Sequence, residues 1–264
     1  MCFEMTSTET STAIIEIRDV HKSFGSHQVL RGITLNIPRG KITYIIGRSG
    51  EGKSVTIKHI VGILLPDKGE IVFDGVSMHG ASSLDWRAKR RDIGILFQDG
   101  ALFDSMNVGE NVAFALREFV KQSELDLSQR VDSLLELVGL PGYASRMPSE
   151  LSIGEKKRVG LARALSLGPK LVLYDEPTTS MDPLISELID ELIVAMQQKL
   201  PGISSVVISH DMQSVLSTAD HIAFIHEGAI YFEGTPAELQ ATQDPLLRQF
   251  MSGGLVGPLA RPIA

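Results

Sequence analysis

The sequence predicts an α/β fold built on a mainly parallel sheet, and three observations carry that reading. Short β-rich runs alternate with helical stretches from Gly160 to Phe232, the order that right-handed crossovers between parallel strands require. A β-rich run, Lys41 to Ile46, feeds a glycine loop that opens a helical stretch. Finally, 43% of the 264 residues are hydrophobic and the mean hydropathy is +0.10, which suits strands covered on both faces.

The elements follow in order. Met1 to Thr12 is polar and Ser/Thr-rich, a disordered-looking tail without an apolar stretch of signal-peptide length. Ala13 to Val20 alternates as a strand, with Ile15 and Ile17 on one face and Glu16 and Arg18 on the other. Val29 to Ile37 is a second strand, closed by the turn Pro38-Arg39-Gly40. Ser54 to Leu65 reads as a helix stopped by Pro66, and Glu70 to Phe73 and Asp92 to Phe97 as short strands. Helical spacing then takes over. Leu127, Val131, Leu134, Leu135 and Val138 form one apolar stripe ended by Gly139 and Pro141, and residues 99–157 read as a helical insertion or as further core helix. Past Gly160 come a helix to Gly168, a buried strand at Leu171 to Tyr174, and a helix opened by Asp182-Pro183 as cap and first turn. A strand at Ser205 to Ser209 and a hairpin from Ile222–Ile225 and Ile230–Phe232 complete the series.

With 25 basic and 32 acidic residues the net charge is −7, which argues against a general nucleic-acid binder. Basic runs such as Arg87 to Arg91 and Lys156 to Arg158 are expected to be solvated faces. Cys2 is the only cysteine, so no intrachain disulfide can form and a reducing compartment is expected. No window approaches the ~18 apolar residues that cross a bilayer.

The chemistry concentrates in two loops. Gly47-Arg48-Ser49-Gly50-Glu51-Gly52-Lys53-Ser54 fits Gly-x4-Gly-Lys-Ser/Thr in full. Its glycines let backbone N–H groups converge on a phosphate, the following helix adds its positive end, Lys53 reaches the terminal phosphates and the Ser54 hydroxyl is placed to ligate Mg²⁺. Asp175 ends an apolar strand, where an acid can hold that ion; Glu176 beside it is placed to orient and deprotonate an attacking water. The second loop, Leu151-Ser152-Ile153-Gly154-Glu155, puts a hydroxyl and a glycine backbone at a helix start. That is another anion site, although Ser152 also fits a plain N-cap. One γ-phosphate does not need two such sites in one chain, whereas two antiparallel copies would use both.

The order of these motifs resembles the ATP-binding-cassette ATPases over about residues 14 to 240. The resemblance implies a P-loop NTPase with a mainly parallel sheet, an antiparallel β subdomain and a helical subdomain. It assigns Phe24 to adenine stacking (a core Phe being the alternative), Gln98 to sensing Mg²⁺ and the helical subdomain, Ser180-Met181-Asp182 to the loop crossing between subunits, and His210 to the γ-phosphate. Site residues carried over are thus Glu176, His210 and Gln98 for catalysis, with Ser54, Gln98 and Asp175 for the metal. Phe24, the whole 47–54 loop, Ser152 and Gly154 are assigned to ATP. The other six histidines lack comparable support. Ile153 and Glu155 depart from the usual Leu-Ser-Gly-Gly-Gln.

Within that family, Glu51 to Val55, Lys58 to Gly62 and Phe97 to Met106 are similar to the Mla group, as are Glu110 to Phe114 and the tail from Asp244. That likeness implies a homodimeric ATPase on the cytoplasmic side of the inner membrane. Its expected partners are a multi-spanning permease, an MCE protein and a small STAS-domain protein, and its task phospholipid transport. An ATPase for a small-solute importer of the amino-acid type is the alternative. The extension 241–264 reads as a docking tail or a frayed end.

Overall fold

The computed structural model describes residues 12–179, 181–254 and 258–259. Residues 1–11 of the expected tail, Ser180 of the crossing loop, and 255–257 and 260–264 of the extension lie outside the described residues. Strand β1 (Ala13–Phe24) pairs antiparallel with β2 (His27–Pro38), with Ile15 opposite Ile37 and Ile17 opposite Leu35. On its other side β1 pairs with β4 (Lys68–Phe73), which is continued by β5 (Val76–Ser77), giving the order β2-β1-β4-β5. Ile15 and Ile17 are buried, while Arg18 reaches Glu16 and Glu70 on the outer face at 2.7 and 2.9 Å.

The second sheet has six strands in the order β10-β9-β3-β8-β7-β6. These are β3 (Ile42–Ile46), β6 (Ile93–Leu96), β7 (Leu171–Asp175), β8 (Ser204–Ile208), β9 (His221–His226) and β10 (Ala229–Gly234). All pairings are parallel except β9 with β10, the expected hairpin. The face carrying Ile42, Tyr44, Ile46, Val172, Tyr174 and Val207 packs on helices. The opposite face, with Ile45, Leu171, Leu173, Val206 and Ile208, packs on the antiparallel sheet and on α1 (Lys53–Ile60). Coverage on both faces accounts for the unbroken apolar runs.

Helix α1 ends earlier than its sequence suggests. Gly62 turns left-handed at φ +66°, and the Trp86 ring occupies its face so closely that a Cβ there would stand 2.1 Å from Trp86 Cδ2. That tryptophan belongs to α2 (Ser83–Arg90), a helix the sequence reading did not anticipate although Ser82 and Asp85 form a reciprocal capping box. In the helical region, α3 (Val108–Phe119) and α4 (Glu124–Leu137) lead to a 3₁₀ turn at Pro148–Glu150 and α5 (Ile153–Leu165). Leu127, Val131, Leu135 and Val138 of the apolar stripe are buried. Helix α6 (Pro183–Lys199) starts at an Asp182 cap, the carboxylate accepting from the Leu184 N–H at 2.9 Å.

Three further short helices lie among the described residues: α7 (Met212–Thr218), α8 (Pro236–Ala241) and α9 (Pro245–Ser252). Leu246 and Leu247 of α9 are buried in the core beside the sheet, and Phe250 meets Phe224 of β9 with ring centroids 4.7 Å apart. No helix among the described residues is long and apolar enough to cross a membrane.

Candidate nucleotide-binding site

Strands β3, β8, β7 and β6 are consecutive neighbours and parallel, so the loops after them emerge side by side. Those loops carry residues 47–54, His210, Asp175-Glu176 and Gln98 in turn. Four segments far apart in sequence thus share the carboxyl edge of one sheet, where ligands of open α/β sheets bind.

The 47–54 loop is held in a conformation that only glycine fits. Gly47 has φ +148° and a Cβ there would sit 2.4 Å from the Ile225 carbonyl oxygen. Gly52, at φ +103°, caps α1 without any side-chain bond, and the first turn of α1 holds no acid. Its N–H groups therefore remain for an anion. Lys53, only 6% exposed, donates from Nζ to the carbonyls of Gly47 (2.8 Å) and Arg48 (2.9 Å), bracing the loop. Burial pushes its pKa down, against the pull of Glu176, Glu51 and Asp175. Glu51 accepts from the Glu227 N–H at 2.5 Å, while Arg48 donates to the Leu259 carbonyl at 2.6 Å. Ser49, Gly50 and Ser54 are exposed.

Burial, and then the adjacent Glu176, hold the Asp175 carboxyl above its usual range, with Lys58 and Lys53 opposing. Glu176 adopts φ +48°, a strained value for a residue with a side chain, of the kind that clusters at functional sites. Its N–H donates to Ile208 O at 3.1 Å, extending the β7–β8 pairing by one residue. Its Oε2 accepts from Thr179 Oγ1 at 3.0 Å and lies 3.9 Å from His210 Nδ1. Gln98 and the His210 ring are exposed at this edge. Ser54, Asp175 and Gln98 offer hard oxygen donors, and the strained burial of Asp175 is relieved by a nearby cation, so the residues fit Mg²⁺. Among the described residues no group of three His, Cys, Asp or Glu could hold a metal. Mg²⁺ here would therefore lean on phosphate oxygens, as it does in other nucleotide sites.

The second loop lies apart from this edge. Ser152, Ile153, Gly154 and Glu155 line a cavity of about 520 Å³ with Met181 and Asp182. Arg48, Ser49, Gly50 and Glu51 line a different one of about 560 Å³, and the two share no lining residue. Ser152 is an N-cap after all: its Oγ accepts from the Glu155 N–H, and Glu155 answers the Ser152 N–H at 2.8 Å. Phe24 ends β1 with 48% of its surface exposed, Lys22 Nζ standing 5.8 Å from its ring centre, so the core-Phe alternative is excluded.

One expectation is corrected. Lys156 to Arg158 is not a solvated face, because Lys157 is 1% exposed and donates to the Pro177 carbonyl just beyond Glu176. Net charge cannot reveal such a residue; its place on a buried stripe of α5 with Leu161 and Leu165, at i+4 and i+8, could have. Arg87 and Arg91 do stay at the surface, over the Phe119 ring.

The ABC transporter family profile matches residues 30–179. The chain belongs to that family. It is 42% identical to the intermembrane phospholipid transport system ATP-binding protein MlaF of Escherichia coli K12, over 93% of this chain and 91% of the relative. It is 39% identical to TRIGALACTOSYLDIACYLGLYCEROL 3 of the Arabidopsis thaliana chloroplast, over 98% of this chain and 79% of that one. Among solved structures, the dimeric ATP-binding cassette MJ0796 with ADP and Pi superposes with a TM-score of 0.76 at 28% identity, covering 84% of this chain and 98% of that one. The chain is an ABC-type ATPase with the P-loop NTPase fold, and the MJ0796 cassette that it resembles is a dimer bound to ADP and Pi.

Proposed function

We propose that this chain is the ATP-hydrolysing subunit of a transporter that moves phospholipid between inner and outer membrane, working as a homodimer on the cytoplasmic side of the inner membrane. The observation that carries the reading is the separation of two anion-binding loops onto different cavities of one subunit. Each copy supplies the 47–54 cradle, Lys53, Glu176 and His210 to one nucleotide, and Ser152 and Gly154 to the nucleotide on its twin. Glu176 takes the proton of the attacking water; its carboxylate is oriented by Thr179 and faces His210. Ser54, Asp175 and Gln98 would hold Mg²⁺, which would supply charge neutralisation on the phosphates. Phe24 stacks on the adenine. The likeness to MlaF supports lipid as cargo.

A permease completes the machine. Phe97, Phe103 and Phe114 are exposed around a groove of about 390 Å³ beside Gln98, with Arg91 and Arg163 at its walls. Three exposed aromatics in one groove mark a docking surface, here for a cytoplasmic segment of the permease. An MCE protein and a STAS-domain protein join through that permease assembly. The extension 241–264, anchored on its own sheet through Leu246 and Leu247, is assigned to docking on the neighbouring subunit or the permease. Deletion beyond Leu239 is then expected to impair assembly, and unchanged assembly refutes the docking role.

The test of cargo is reconstitution of the complex purified from native membranes. Transfer of labelled phospholipid between proteoliposomes, dependent on ATP and lost in Glu176→Gln, is the expected result. ATP-driven uptake of a labelled soluble solute without lipid transfer overturns the assignment.

A further inference from the structure

The hydrolytic chemistry leaves one ionised group at the second loop unused. Glu155 stands where the family signature carries an uncharged glutamine, and both of its carboxylate oxygens are engaged. Oε2 accepts from the Ser152 N–H and from the Ser152 hydroxyl, each at 2.8 Å, and Oε1 accepts from the Tyr143 hydroxyl at 2.8 Å. The Arg146 guanidinium lies 3.9 Å from the centre of the Tyr143 ring. The Ser152 N–H first, then the Ser152 and Tyr143 hydroxyls, hold the Glu155 carboxyl below its usual range. It is a fixed negative charge in the first turn of α5.

A serine hydroxyl has a single proton. To donate it to a γ-phosphate, Ser152 must take it away from Glu155. The positive end of α5 is likewise already occupied by an acid of its own chain, at the place where an incoming triphosphate would look for it. We propose that Glu155 is a positioning residue that opposes closure, keeping the Ser152 proton and the field of α5 inside the subunit until nucleotide on the second copy competes for both. Tyr143 and Arg146 retain the carboxylate when Ser152 leaves it, so the exchange does not strand a charge. Closure then requires more nucleotide than a glutamine-bearing signature needs. This inference rests on the reading above that Ser152 meets the twin's nucleotide.

The experiment uses the full chain with Glu176→Gln to stop hydrolysis, titrated with Mg·ATP while light scattering follows dimer formation. Glu155→Gln preserves the capping geometry and removes only the charge. It is expected to lower the ATP concentration for half-closure about fivefold or more. The gap between parent and variant should shrink as salt rises from about 0.05 to about 0.5 M, because screening weakens repulsion between like charges. With Glu176 intact, Glu155→Gln should lower KM for ATP without raising kcat, a split that a merely structural role does not produce. Glu155→Met, which also removes the charge, is expected to shift half-closure in the same direction. A half-closure point that stays put or rises in Glu155→Gln overturns the proposal, provided Ser152→Ala abolishes closure. If Ser152→Ala closes as readily as its parent, the reading of the composite site fails, and this inference with it.

Discussion

Two helices of this protein begin at glycine-bearing loops, and they begin in opposite ways. Helix α1 has Gly52 as an N-cap with no side-chain bond and no acid in its first turn. Helix α5 has Ser152 and Glu155 locked in a reciprocal box. The first leaves its donors open for a ligand, and its shape is enforced by the fold around it, since a Cβ at Gly47 or Gly52 would collide with Ile225 or Leu30. The second satisfies itself. A helix start that is finished within one subunit would bind phosphate only by giving something up, so in the proposed dimer it is a conditional site where the other is a constitutive one.

The sharpest break between the two ends is chemical. Glu176→Gln should cut steady-state ATP hydrolysis by about 10²–10⁴-fold while ATP-bound dimers accumulate; phosphate release and light scattering together check this. Full turnover in that variant would move the base elsewhere. Next come the glycines. Gly47→Ala should cost about 2–5 kcal/mol in denaturant unfolding, from backbone strain plus the clash with Ile225. Gly154 has no positive φ, and a Cβ there would meet only Ile185 Cγ2 at 3.4 Å. Gly154→Ala should therefore change stability by less than about 1 kcal/mol yet prevent ATP-driven dimerisation. Equal destabilisation of the two variants would erase the contrast.

A third test contrasts the capped acid of α5 with a buried acid elsewhere in the fold. Glu155 is wrapped in donors, whereas Asp190 of α6 is 9% exposed with the Ser214 hydroxyl as its close partner, and burial pushes its carboxyl up to about 6. A carboxyl that holds its proton more tightly when folded contributes stability that is fully present below its unfolded pKa of about 4. That contribution is lost as pH rises through about 6. Asp190→Asn should gain about 1–3 kcal/mol at pH 7.5 and nothing below about pH 4, as read from unfolding curves across pH. A gain of equal size at both pH values would assign the effect to packing. Last is Ser152→Ala, which should cost the helix only about 1 kcal/mol through the lost cap, measured in the absence of nucleotide.

Much of this site is legible in the residues because the chemistry is written in contiguous runs. The 47–54 loop, the Asp175-Glu176 pair at a strand end and the Asp182 cap each announce themselves locally. The alternation of Ile15 and Ile17 and the stripe on α4 were equally readable, since burial repeats with the period of the element. What escaped reading depends on distant partners. The end of α1 is decided by Trp86, 24 positions past Gly62, and Lys157 is drawn inward by a carbonyl on another loop. Helices α7 to α9 are too short to show a period, so only their caps betray them.

The bond from Lys157 to the Pro177 carbonyl has a mechanical corollary. Helix α5 carries the serine loop at its head, and one turn further on it grips the peptide that follows Glu176. In the proposed dimer, a tilt of that helix as the twin meets its tip would be carried through this one ammonium group to the peptide beside Glu176. The helix start offered to the twin and the strand end that bears Glu176 would then answer to a single bond between side chain and backbone.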